Sequence, residues 1–123
     1  ARYPLLMSES QYVKAEAIGP VLSAQVLWER ITDRESGAVV SDIQNAARET
    51  TWRIALDLSR VMLLASAGLG ALINFHKQCL EAGGKLVVFG LREEIEDLMK
   101  LTKLHRLLNI AGSRDDAMAR ASA

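Results

Sequence analysis

A chain of 123 residues, half of them apolar and 24% charged, has the size and composition of one folded domain and excludes a disordered tail. Fifteen Lys and Arg balance fifteen Asp and Glu, so the net charge is zero and no global field draws in nucleic acid or an anionic membrane. The single cysteine, Cys79, rules out an internal disulfide and suits a reducing cytoplasm.

Residues 1–6 read as a cloning remnant or disordered arm ahead of Met7-Ser8-Glu9-Ser10, which resembles a natural start. Residues 7–123 then form a single domain. No secretion-signal pattern opens the chain. The longest uncharged stretch, residues 61–75, is too short for a spanning helix and is interrupted by Gly68 and Gly70.

In residues 11–17 Val13, Ala15 and Ala17 alternate with Tyr12, Lys14 and Glu16. After the turn signal Gly19-Pro20, Leu22, Ala24, Val26 and Trp28 alternate with Ser23, Gln25 and Glu29. Two strands of a hairpin, each with one buried face, follow. Residues 33–49 change to helical spacing, with Val39, Ile43, Ala46 and Ala47 on one face. Period two returns at Trp52, Ile54, Leu56 and Leu58. A second helix opens at Ser66-Ala67-Gly68, carries Leu69, Leu72, Ile73, His76 and Leu80 on one side, and ends at Gly83-Gly84. Leu86-Val87-Val88-Phe89 is apolar on both faces and predicts a central strand.

A third helix spans residues 92–102, with Glu93, Glu94, Glu96 and Asp97 at its start and Lys100, Lys103 and Arg106 at or beyond its end. Residues 107–110 predict a short strand. Ser113, three residues before Asp116, caps a last helix running through Arg120. This order demands an α/β fold, a hairpin followed by parallel βα units. Polar residues along one side of several strands predict helices mainly on the other.

Ser66 is the first candidate site. Placed as the N-cap of its helix, its side chain would accept from the first-turn amides. The small neighbours Ala65, Ala67 and Gly68 leave the hydroxyl open, and a phosphate there would meet free amides and the positive dipole end. A plain helix cap is the competing reading.

Other chemistries fail on spacing. A hydrolase elbow needs glycine where Leu64 stands, and His76 lies ten residues further along the same helix. A phosphate loop needs glycine at Cys79 and Ser or Thr at Leu86. His76 and Cys79 are spaced for two metal ligands, but no second pair lies nearby, so core packing is the expected role. Asp57 is similar in place to a receiver-domain phosphoacceptor, yet Ala17-Ile18-Gly19 stands where an acidic pair would hold magnesium. The run Lys100, Lys103, His105 and Arg106 reads as a solvated helix end.

From residue 54 to residue 118 the chain resembles the STAS domain, the anti-sigma-factor antagonist family. The matching blocks are Leu56-Asp57-Leu58-Ser59, Ala65-Ser66-Ala67-Gly68-Leu69-Gly70-Ala71-Leu72, Gly83-Gly84-Lys85-Leu86-Val87-Val88 and Leu98-Met99-Lys100-Leu101-Thr102-Lys103-Leu104. Ile31-Thr32-Asp33 is similar to the loop before the family's first helix. Three positions depart: Ala65 stands for the motif's Asp, Ala67 for its second hydroxyl residue, and Lys103 for a frequent glycine.

The resemblance implies a mixed sheet of four to five strands with helices mainly on one face. It implies a non-enzymatic switch without cofactor. The partner would be an anti-sigma factor with a GHKL-type kinase fold, which phosphorylates the serine matching Ser66; modified protein lets go, and a serine phosphatase resets it. Ala65, Ser66, Ala67, Gly68 and Leu69 would form the docking surface, with Asp33 and Asp57 near that end. The alternative is a STAS interaction or scaffold module, never phosphorylated, in a larger signalling or transport assembly.

Overall fold

The computed structural model describes residues 5–48 and 50–123. Alternation builds the first layer. Val13 and Ala15 of β2 (Val13–Ile18) are fully buried, while Lys14 between them is exposed. β3 (Val21–Val26) folds back antiparallel on β2, pairing Val13 with Val26 and Ile18 with Val21, around Gly19 at φ 59°. Ahead of both, β1 (Leu5–Glu9) pairs antiparallel with β2 through a register irregularity between Leu6 and Ser8. Leu5 and Leu6, assigned to an arm on sequence, therefore lie within a strand; the first four residues of that arm lie outside the described residues.

Next come β4 (Arg30–Ile31), α1 (Asp33–Ala47), β5 (Arg53–Asp57), β6 (Leu63–Leu64), α2 (Ser66–Glu81) and β7 (Lys85–Phe89). After these lie α3 (Glu93–Leu101), a 3-10 turn over Leu104–Arg106, β8 (Asn109–Ile110) and α4 (Arg114–Ser122). The main sheet has the order β1-β2-β3-β5-β7-β8. Its β3, β5, β7 and β8 run parallel. The hairpin and parallel βα units are as expected, with β1 as an added edge strand. β4 and β6 form a separate two-stranded parallel ribbon that the sequence pattern does not disclose.

Each sheet face buries its own core. Val13, Leu22, Ala24, Val26, Ile54, Leu56, Leu86 and Val88 pack with Ile43 of α1, Phe75 of α2 and Ile95 and Met99 of α3. The opposite face is smaller: Val21, Ala55, Val87 and Phe89 meet Ala117 and Ala121 of α4. Alanine at both contact positions lets that helix sit close to the strands. Arg53 fixes its end, donating from Nη1 to the carbonyls of Ala121 at 3.1 Å and Ala123 at 2.6 Å.

Where the helix of residues 33–49 was expected, α1 ends at Ala47, and Glu49 lies outside the described residues. The strand of residues 107–110 contracts to Asn109–Ile110, because Leu107 and Leu108 donate backbone bonds to Leu104 and close the 3-10 turn. α2 ends as its two glycines require: Gly83 at φ 85° donates to Leu80, and Gly84 donates to Cys79. A Cβ on Gly84 would lie 2.0 Å from the Trp52 carbonyl oxygen, so only glycine lets this turn cross the start of β5.

Candidate functional site around Ser66

The loop from β5 to α2 is held by backbone bonds. Leu58 donates to Phe89 at 3.0 Å, and Val61, almost fully buried, anchors the middle. Met62 and Leu63 both donate to the Glu29 carbonyl, at 2.8 and 3.1 Å, and Ala65 donates to Ile31 at 2.9 Å. These bonds tie the loop to β4 and lift the side chains of Met62 and Leu63 outward, 45% and 38% exposed.

The pairing also shifts the helix start. Ala65, its N–H bound to Ile31, is extended (φ −76°, ψ 173°) and takes the N-cap position, with no side-chain cap. Ser66 is thus the first residue inside α2, not its N-cap, correcting the expectation that its hydroxyl accepts from the first-turn amides. Ser66 is exposed, and its hydroxyl makes no hydrogen bond to any described residue. Leu69 is the first amide to find the helical acceptor, Ala65. The amides of Ser66, Ala67 and Gly68 therefore stand at the positive end of α2 without a capping side chain or a first-turn carboxylate.

α1 starts beside it, across the ribbon, in the opposite condition. Thr32 caps it: its Oγ1 accepts from Arg34 N at 3.3 Å and donates to Glu35 Oε1 at 2.6 Å, while Thr32 N donates to the same carboxylate oxygen at 2.9 Å. The bonds from the Thr32 side chain and backbone lower the pKa of Glu35 below the ordinary carboxylate value.

The expected docking residues separate into groups. Ser66 is exposed, Ala65, Ala67 and Leu69 are half-buried, and Asp33 is exposed at the first position of α1. Gly68 is buried rather than presented. A Cβ there would lie 2.6 Å from Leu64 Cδ1 and 3.3 Å from Ile31 Cγ2, so Gly68 seats the first turn of α2 on the ribbon. Beneath it lies a small apolar void of about 40 Å3, lined in part by Leu64, Gly68, Leu72 and Phe75.

Asp57 sits at the end of β5 but points with Ala55 toward the α4 face. Its Oδ1 accepts from Ser59 N at 2.8 Å and its Oδ2 from Gln25 Nε2 at 3.3 Å. It lines a polar cleft with Lys14, Glu16, Ser23 and Arg114. The structure thus assigns Asp57 to a turn on the other side of the sheet, and does not bring it to Ser66.

Met62 and Leu63 are the residues that sequence reasoning missed. Their signal was the four-residue apolar run Val61-Met62-Leu63-Leu64, too short a stretch to bury every member against one layer. His76 and Cys79 are buried in the core on α2. Burial raises the Cys79 thiol to about 12 and, with Lys77 as a lesser cause, lowers the His76 pKa. Among the described residues no group of three or more His, Cys, Asp or Glu side chains could hold a metal. No helix among them is long and apolar enough to cross a membrane.

A curated relative from Bordetella bronchiseptica, the anti-sigma factor antagonist BtrV, is 30% identical over 67 residues, covering 54% of this chain and 58% of BtrV. The match thus spans little more than half of that relative's length. Among solved structures, an anti-sigma factor antagonist from Thermotoga maritima superimposes with a TM-score of 0.79 at 20% identity, covering 89% of this chain and 93% of that one. The Bacillus cell fate determinant SpoIIAA, solved in its phosphorylated form, gives 0.64 at 14% identity, covering 88% and 97%. At such identities the superpositions establish the shared fold. The family model of the STAS domain matches residues 25–117, from β3 into α4. The chain belongs to the STAS domain family.

Proposed function

We propose that this chain is an anti-sigma-factor antagonist, a binding switch rather than an enzyme, acting in the cytoplasm. Its partner is an anti-sigma factor with a GHKL-type kinase fold, and the contact is the surface around Ser66: Ala65, Ala67, Leu69, the exposed Met62 and Leu63, and Asp33 at the start of α1. The unmodified surface captures the anti-sigma factor and frees a sigma factor.

One observation carries this reading: an exposed hydroxyl without a hydrogen-bond partner among the described residues, on an uncapped helix start, beside two exposed apolar side chains. The partner's ATP supplies the phosphate. Ser66 Oγ forms a bond to the γ-phosphorus, the bond to the β-phosphate oxygen breaks, ADP leaves, and the hydroxyl proton passes to a base on the kinase. The product carries about −1.5 to −2 charges in the middle of the contact. A penalty of about 3 kcal/mol there weakens binding roughly a hundredfold. A serine phosphatase restores the hydroxyl.

Ala65, in place of the motif's Asp, favours a second reading: a STAS interaction or scaffold module whose serine is never modified. Incubation with the partner kinase and ATP, followed by intact mass, separates the two. One added phosphate, abolished in Ser66→Ala, supports the switch; tight partner binding without added mass supports the scaffold.

A further inference from the structure

α3 leaves the end of β7 and runs back along the sheet, because β8 must start from the far end to pair parallel with β7. The last turn of α3 and the 3-10 turn therefore form a corner at the opposite end of the molecule from Ser66. Two leucines stand out there: Leu101 is 83% exposed and Leu107 is 45% exposed. The cations Lys100, Lys103 and Arg106 neighbour them along the chain, all exposed, as is His105. Residues 98–114 contain no Asp or Glu. Lys100 pairs weakly with Glu96 at 3.7 Å, while Lys103 and Arg106 enter no ion pair among the described residues. Lys103 holds its charge at φ 61°, a backbone region that favours glycine.

We propose that this corner is a contact site for an anionic lipid surface. The neighbouring groove of about 310 Å3 is lined by Glu96, Met99, Lys100, His105, Leu108 and Ile110 among others, and by none of Leu101, Lys103, Arg106 or Leu107, so these four side chains stand beside it and not in it. Exposed leucines neighboured by cations suit a flat, deformable surface, with the leucine tips at the acyl boundary and the cations among lipid phosphates. Zero net charge does not oppose this. That total averages Lys103 and Arg106 with Glu93, Glu94 and Asp97 further back on α3, while Glu96 offsets the charge of Lys100. Asp97, the nearest acid on the same helix face, lies four residues before Leu101, about 6 Å up the axis. The contact is independent of the Ser66 reading, and it leaves that serine facing away from the lipid.

The test sediments the full chain with phosphatidylcholine vesicles containing phosphatidylglycerol, and with vesicles of phosphatidylcholine alone. Binding is expected only with the anionic vesicles, and added salt weakens it. The double variant Lys103→Gln, Arg106→Gln loses roughly 25-fold, at about fivefold per cation. Leu101→Ser loses about tenfold. Lys103→Gly relieves the left-handed strain, so it raises the melting temperature while lowering vesicle binding about fivefold. Absence of binding, equal binding to both vesicle types, or unchanged binding in the double variant overturns the proposal. So does a double variant that loses affinity for a protein partner when the unaltered chain ignores vesicles, since the corner is then a protein surface.

Discussion

Two helices of this domain begin side by side, and they begin differently. α1 closes its own N-terminus with Thr32 and Glu35, two side chains that satisfy each other and the backbone. α2 has Ala65 as its cap, which offers its amides no side chain. The difference arises in the ribbon between them: pairing of Ala65 with Ile31 spends the cap position on a residue without a polar side chain. A helix end left bare costs some stability but keeps donors and a hydroxyl available to another molecule. α1 uses its polar side chains to close its own end, and α2 leaves its end open.

Among substitutions, the largest effect should come from the apolar rim of the open end. The double variant Met62→Ser, Leu63→Ser is expected to weaken capture of the proposed anti-sigma-factor partner at least tenfold, on the order of 1.5 kcal/mol for lost apolar burial. Its melting temperature should stay near that of the parent, since both side chains already face water. Titration calorimetry beside a thermal melt checks both halves; normal binding would move the contact elsewhere.

Opening the closed end should do the reverse. Thr32→Ala removes the cap of α1 and is expected to cost about 1 kcal/mol in chemical denaturation. Closing the open end gains something smaller. Ala65→Asp gives α2 a capping carboxylate and should stabilise the fold by roughly 0.5–1 kcal/mol. If Ala65→Asp proves neutral, the amides of α2 are not as free as the geometry implies.

The smallest expected difference is in acid. The folded pKa of Glu35 is lowered, so its contribution is fully present above the unfolded value of 4.5 and fades as the pH falls through the folded value. Glu35→Gln should flatten that part of the stability profile below about pH 5 while leaving the neutral-side slope alone. Urea midpoints measured across the acid range report it.

The legible part of the molecule is the part whose side chains carry a period. Val13 and Ala15, Leu22 and Ala24, and Ile54 and Leu56 announce strands because one face of each meets helices. Val39 and Ile43 announce α1 in the same way, and Gly83-Gly84 announces the end of α2. The β4–β6 ribbon was hidden because two-residue strands have no period; they are made by amides of residues 62, 63 and 65 reaching the carbonyls of Glu29 and Ile31. That hidden pairing is why Ser66 lies one place inside its helix. It also explains why Met62 and Leu63 went unnoticed, since exposure within an apolar run depends on which neighbour the backbone binds. Asp57 was readable in both place and face: it ends the strand and alternates with Leu56 on the side of Arg53 and Ala55, which the structure shows to be the α4 face.

The central claim is that a phosphate on the Ser66 hydroxyl severs the partner contact. Its most direct test is the affinity of the purified anti-sigma factor for this chain, unmodified and phosphorylated at Ser66, under one buffer. A loss of roughly a hundredfold on phosphorylation is the predicted result. Equal affinity for the two forms would contradict it.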